Sequence, residues 1–296
     1  MLSPEFWSLS YADLRSEGWS RRAIDAALAM GRLVRVRKGT YILGTCPDPV
    51  RDALAQGGRL DCLSLLMLLG VFVLDCPQLH LQMDHGTTRV AERAGVGVVR
   101  HWRDTSAPTR HAVADLVEAL VQACRCQAPR AALATLDSAW HLGLVNESDI
   151  ADVFRSLPRR YAALRPLLDR RSESGVETLV RLLLRAMGCE IQVQVAIVGV
   201  GRVDLLVDGW LIVECDSKAF HEGWLKQRDD RRRDSAAAAL GYTTIRVLAE
   251  DALYAPETVR AAVRGLREAR AGGAHSVASR NQPCTREPVI GHNPAG

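Results

Sequence analysis

The chain has 296 residues, 48% of them hydrophobic and 24% charged, a balance that excludes fibrous and wholly disordered chains and suffices for two or three modules. A formal net charge of only +4 permits nucleic acid as a partner without requiring it. The N-terminal stretch has no apolar signal core, and the longest apolar run, Leu63 to Leu74 around Gly70, is too short to span a bilayer, so a cytoplasmic protein with no membrane partner is expected.

Eight cysteines include no C-x-x-C pair, and no cysteine-histidine spacing in the chain suits zinc, so reduced thiols are expected. Nearly all of the positive charge is arginine. Only Lys38, Lys218 and Lys226 are lysines, which makes a lysine beside acidic residues worth noting.

Residues 1–45 read as a winged helix-turn-helix. Leu14 sits in a short helix closed by Gly18; Ser20 caps a second helix in which Ile24, Ala27 and Leu28 recur at helical spacing, and Gly31 ends it. LVRVR then alternates as a strand, Lys38-Gly39 turns, and TYIL returns. Arg21, Arg22, Arg35, Arg37 and Lys38 crowd the second helix and the wing, where they are either a solvated basic surface or a DNA-binding one.

Residues 46–171 form a mixed, mainly helical middle region to which no chemistry can be assigned. An apolar helix is expected from Leu60 to Leu69, strands at LHLQM and GVGVVRHW, and long helices from Val113 to Leu168 broken by Pro129 and Pro158. Residues 172–271 alternate helix, strand, a strand pair, helix, strand and helix, the pattern of an α/β sandwich with its sheet covered on both faces. Residues 272–296, rich in Gly, Pro and Ser, are expected to be a disordered tail.

The strand pair, GRVDLLVDGWLIVECD, places Asp204, Glu214 and Asp216 in an apolar stretch, with Lys218 and His221 just beyond. An unpaired buried carboxylate costs several kcal/mol, so these groups must reach water or meet a cation. Side chains alternate along strands, so Glu214 and Asp216 share a face, and Asp204 joins them only if the connecting loop has an odd number of residues. A two-residue Asp208-Gly209 turn separates Asp204 from Glu214. A three-residue Val207-Asp208-Gly209 loop brings them together, and the residues allow both. Converged, the carboxylates suit a hard divalent cation, magnesium first and manganese as an alternative.

The series Glu177, RVD ending in Asp204, VECDSKAFH carrying Glu214, Asp216, Lys218 and His221, then RDDRRRD and GYTTIRV, resembles the PD-(D/E)XK nuclease superfamily. Within it, the pattern is similar to the very-short-patch mismatch-repair endonucleases over roughly Ser172 to Leu253. The resemblance implies a restriction-endonuclease-like α/β sandwich that hydrolyses DNA phosphodiester bonds with Mg2+ or Mn2+. It makes Asp204 and Glu214 metal ligands and Asp216 a further ligand or water-orienting base. Lys218 or His221 would stabilise charge or act as acid, and Glu177 would support the ligands. One departure stands out: the superfamily lysine two residues after the glutamate is Asp216 here, and Lys218 lies one strand step further on the same face.

The first segment, SRRAIDAALAMGRLVRVRKGTYIL, resembles the N-terminal winged helix of AbiEi-type antitoxins of type IV toxin-antitoxin systems. That resemblance implies DNA binding and a cognate toxin partner. It also defines the rival function, a transcriptional regulator whose nuclease fold is inactive or serves partner binding.

Structural explanations stand beside these. Glu177 can complete a capping box with Ser174, Asp204 can pair with Arg202, and Asp216 with Lys218 can be a surface ion pair. His221 can be a plain loop histidine. RDDRRRD can be a solvated helix face, with Arg228, Arg231 and Arg232 alternatively meeting phosphate. RNA in place of DNA is left open.

Overall fold

Local hydrogen bonds set the first elements. In the computed structural model, which describes residues 6–87, 97–216 and 224–280, Ser10 and Asp13 form a reciprocal capping box on α1 (Tyr11–Ser16), and Ser20 Oγ accepts from Ala23 N to open α2 (Arg21–Ala29). A hairpin follows, β2 (Leu33–Arg37) and β3 (Thr40–Leu43), and β1 (Leu9–Ser10) joins the outer edge of β3.

Neighbouring hairpin residues face opposite ways, and that alternation joins the first segment to the second. Tyr41 packs with Leu14, Ile24, Ala27 and Leu33 under the two helices. Ile42, on the other face, packs with Phe6, Val50, Leu60 and Leu81. Residue 45 is therefore no gap in the packing: one hairpin serves two cores.

The middle region holds α3 (Asp48–Ala55), β4 (Arg59–Leu60), α4 (Cys62–Leu68), β5 (Leu79–Met83), β6 (Val98–Trp102), α5 (Leu116–Cys126), α6 (Pro129–His141), α7 (Glu147–Ser156) and a 3-10 segment, Arg159–Leu167. Both expected strands form, and β4 adds a third in the order β4-β5-β6, with β5 and β6 parallel. Leu60 is a strand residue paired with Leu81, so the apolar helix begins two positions later than its hydrophobicity suggests. Pro129 opens α6, where its missing N–H costs nothing, and Pro158 precedes the 3-10 segment.

The C-terminal region runs α8 (Gly175–Ala186), β7 (Ile191–Ile197), β8 (Gly201–Val207), β9 (Leu211–Asp216), α9 (Trp224–Ala239), β10 (Thr243–Leu248), α10 (Ala249–Tyr254) and α11 (Pro256–Arg280). Its sheet has the order β10-β9-β8-β7, with β10 parallel to β9 and the other pairs antiparallel. Val176, Val180 and Leu183 of α8, with Val259 and Val263 of α11, cover one face through Leu205, Leu211 and Val213. Ala237 of α9 packs on the other through Leu206 and Ile212. The chain is thus of the α/β class, with three small sheets among the described residues. The last helix continues through Gly272 to Arg280, where a disordered tail was expected; extending a helix is far cheaper than nucleating one, and this offsets the glycines' poor propensity.

A buried ion pair ties α8 to the middle region. Arg181 is fully buried, and its guanidinium donates to Asp137 of α6 at 2.6 Å and to Leu167 O at 2.7 Å. Asp137 also accepts from Asp169 N and Thr178 Oγ1. Among the described residues, no helix is long and apolar enough to cross a membrane.

Candidate functional site

The β8–β9 connection decides where the carboxylates go. Val207 pairs with Leu211, leaving a three-residue loop, Asp208 to Trp210, with Asp208 and Gly209 both in the left-handed region at φ +50° and +75°. The loop is odd in length, as convergence requires, but lies one residue later than the expected Val207 to Gly209. Asp208 has a reason to be in the turn: its carboxylate accepts from Glu190 N at 2.8 Å and pairs with Arg267 at 3.0 Å. In the register of this hairpin, Asp204 falls opposite Glu214.

The main-chain ladder between β8 and β9 stops at Leu205 and Val213, and beyond it the two carboxylates take over. Asp204 Oδ2 accepts from Cys215 N at 2.8 Å, and Asp204 N donates to Glu214 Oε2 at 3.3 Å. On the other side, Gln194 of β7 sits between the pairs Val193–Leu205 and Val195–Val203, hence beside Asp204, with its backbone at φ +54°. Its Nε2 donates to Glu177 Oε2 at 3.0 Å and to Asp204 Oδ1 at 3.3 Å.

Glu177 enters from the first turn of α8 and is 5% exposed. Ser174 Oγ accepts from Glu177 N, but the return bond of a capping box goes elsewhere: Glu177 Oε2 accepts from Glu173 N. One carboxylate thus both secures the helix start and reaches the strand carboxylates through Gln194. Arg202, a possible partner of Asp204 on sequence grounds, pairs with Glu173 instead.

Burial and like charge raise the affinity of this cluster for positive charge. Glu214 is 9% exposed, and burial, followed by the Asp204 carboxylate, pushes its pKa up to about 7. Burial also raises Glu177, and Asp204 adds to the effect. Arg233 of α9 supplies compensation: Nη2 donates to Glu214 Oε1 at 3.0 Å and to Arg202 O at 2.6 Å.

Asp216 ends β9 two residues beyond Glu214, exposed and 3.8 Å from Arg246. Arg246 pairs in register with Glu214 and also holds Asp234 at 3.0 Å and Asp230 at 3.7 Å. Part of RDDRRRD is therefore turned toward the sheet, which a merely solvated face would not be. Sequence reasoning left Gln194 and Arg233 out of the site and gave Arg246 no role. Lys218 and His221 lie outside the described residues.

The donor set is all oxygen, and each carboxylate oxygen of Asp204 and Glu214 keeps a lone pair beyond its present partner, whereas Glu177 Oε2 already accepts twice, so Asp204 and Glu214 fit a hard divalent cation in kind. Arg233 already occupies one edge of Glu214, so a cation would share that carboxylate with it. The described residues whose metal-ligand atoms all lie within 4.8 Å of one another form a different group, in the middle region.

At the other end of the chain, Arg21, Arg22, Arg35, Arg37 and Lys38 are all exposed on α2, β2 and the hairpin turn. Compared with models of protein families and with curated proteins, the chain matches none.

Proposed function

We propose that this chain is a DNA-acting, metal-dependent endonuclease. Its N-terminal helices and basic hairpin dock duplex DNA as a winged helix, and its C-terminal sheet hydrolyses a phosphodiester. The observation that carries this reading is the convergence of Glu177, Asp204 and Glu214 where the β8–β9 ladder ends, two of them buried and raised toward neutrality. Such crowding is costly without a purpose.

In this reading Asp204 and Glu214 hold magnesium or manganese, with Asp216 as a further ligand or water-orienting base. The ion, when bound, activates water and offsets charge on the phosphodiester. Gln194 and Glu177 orient Asp204, the Asp204 N–H orients Glu214, and Arg233 keeps the cluster folded before metal arrives. Lys218 or His221 stabilises the leaving charge.

A second reading is favoured by one observation: Arg233 and Arg246 already compensate Glu214 and Asp216 from within the protein. On that reading the chain is an antitoxin-like transcriptional regulator with a cognate toxin. Plasmid nicking with magnesium and with EDTA, beside a Glu214→Ala variant, separates the two. Nicking that requires metal and Glu214 supports the enzyme; DNA binding without nicking of supercoiled, linear or mismatched substrates supports the regulator.

A further inference from the structure

Cys62, His80, His101 and Cys126 are far apart in the chain and meet in the middle region. Cys62 is the first residue of α4 and Cys126 the last of α5. His80 and His101 stand on the neighbouring parallel strands β5 and β6, where His80 pairs with Val99 and Gln82 with His101. One ligand atom from each of the four lies within 4.8 Å of all the others. His80 Nδ1 is 3.1 Å from His101 Nε2, which is 3.9 Å from Cys126 Sγ.

We propose that these four side chains form a tetrahedral zinc site that staples α4, β5, β6 and α5 together. A tetrahedron with zinc–nitrogen bonds of about 2.0 Å and zinc–sulfur bonds of about 2.3 Å has edges of roughly 3.3–3.8 Å, close to the two separations given above. Two thiols and two imidazoles are the borderline-soft set that zinc takes and magnesium refuses. Four protein ligands fill the coordination sphere, so the ion is structural and has no open position for substrate.

The surroundings are built for it. Cys62 is fully buried yet adopts φ +51°, a left-handed conformation uncommon in non-glycine residues and kept where the surrounding structure holds it. Gln122, one turn before Cys126 on α5, donates its Nε2 to Cys126 Sγ at 3.3 Å, as an outer partner of a thiolate ligand does. The His80 main chain is anchored to the helix carrying Cys62, donating its N–H to Ser64 Oγ at 2.9 Å, while His80 O accepts from Asp61 N at 3.0 Å.

Other occupants fit less well. A Cys62–Cys126 disulfide would leave two imidazoles converging on nothing. A two-iron cluster with two histidine ligands sets its cysteine and histidine pairs on separate irons, too far apart for a common spread of 4.8 Å. The site owes nothing to the nuclease reading, and its test is independent of cleavage.

The full chain, purified under reducing conditions without a histidine tag, should contain about one zinc per molecule after exhaustive dialysis, and a thiol-directed mercurial should release it. Cobalt(II) exchanged into the site should show the visible absorption of a tetrahedral ion with thiolate charge transfer. Cys126→Ser, at the exposed end of the site, and His101→Ala should each lower zinc content well below one. Wild type that holds no zinc and gives no tetrahedral cobalt spectrum overturns the proposal without reference to any variant. So does full zinc content in both variants, or a Cys62–Cys126 disulfide, a loss of two hydrogen atoms located by peptide mapping, that persists in the protein so purified.

Discussion

Replacing Glu214 by glutamine tests the electrostatics of the carboxylate cluster directly. An acid whose folded pKa lies above its unfolded value binds a proton in the native state first, so stability falls as pH rises through the window between the two values. For Glu214 the window runs from 4.5 to about 7. Between about pH 5 and about pH 8 the wild-type protein, free of metal, should lose roughly 2.5 kcal/mol on this account, since each pKa unit is worth about 1.4 kcal/mol.

Glutamine carries no charge to lose, so the loss disappears. The substitution has its own cost, however. With its oxygen accepting from Arg233, its NH2 end can no longer accept from Asp204 N, forfeiting about 1 kcal/mol. Glu214→Gln should therefore be slightly less stable than wild type near about pH 5 and more stable by about 1–2 kcal/mol near about pH 8. Urea unfolding in EDTA across this range measures the difference. Parallel pH profiles for the two proteins would refute the assignment of crowding to Glu214 and Asp204.

Two further expectations concern the rest of the chain. Asp137→Ala leaves the fully buried Arg181 guanidinium without its carboxylate and should cost about 3–5 kcal/mol, visible in calorimetry as a fall in Tm of roughly 10 °C; a change within about 2 °C would show that the pair does not join α6 to α8 energetically. Arg21→Ala/Arg22→Ala should weaken binding to duplex DNA and reduce the log–log salt slope by about 2, one for each lost phosphate contact. Unchanged affinity with an unchanged slope in fluorescence anisotropy would remove α2 from the interface.

Much of the local structure was legible because its causes lie within a few residues. Ser20 and Ser174 cap helices by bonding amides three positions on, and LVRVR and TYIL alternate with the pitch of a strand. Parity alone limited the carboxylate question to odd or even loops. Strand pairing made the choice: Val207 meets Leu211, leaving the odd loop Asp208 to Trp210, whose first residue is held by Glu190 N and Arg267 from distant parts of the chain. Gln194 was invisible for the same reason: its place beside Asp204 depends on strand pairing and on a left-handed backbone that no neighbouring residue signals.

The cysteines and histidines show the limit most plainly. Read along the chain, their spacing argued against zinc, because that reading assumes ligands supplied by one short loop. Folding replaces sequence distance with the pairing of β5 and β6 and the packing of α4 against α5, and Cys62, His80, His101 and Cys126 converge. Periodicity and capping thus determined which segments became helices and strands, being interactions over a few residues. Which side chains met was decided by tertiary packing, since contacts between remote segments form only when the cores that hold those segments together are complete.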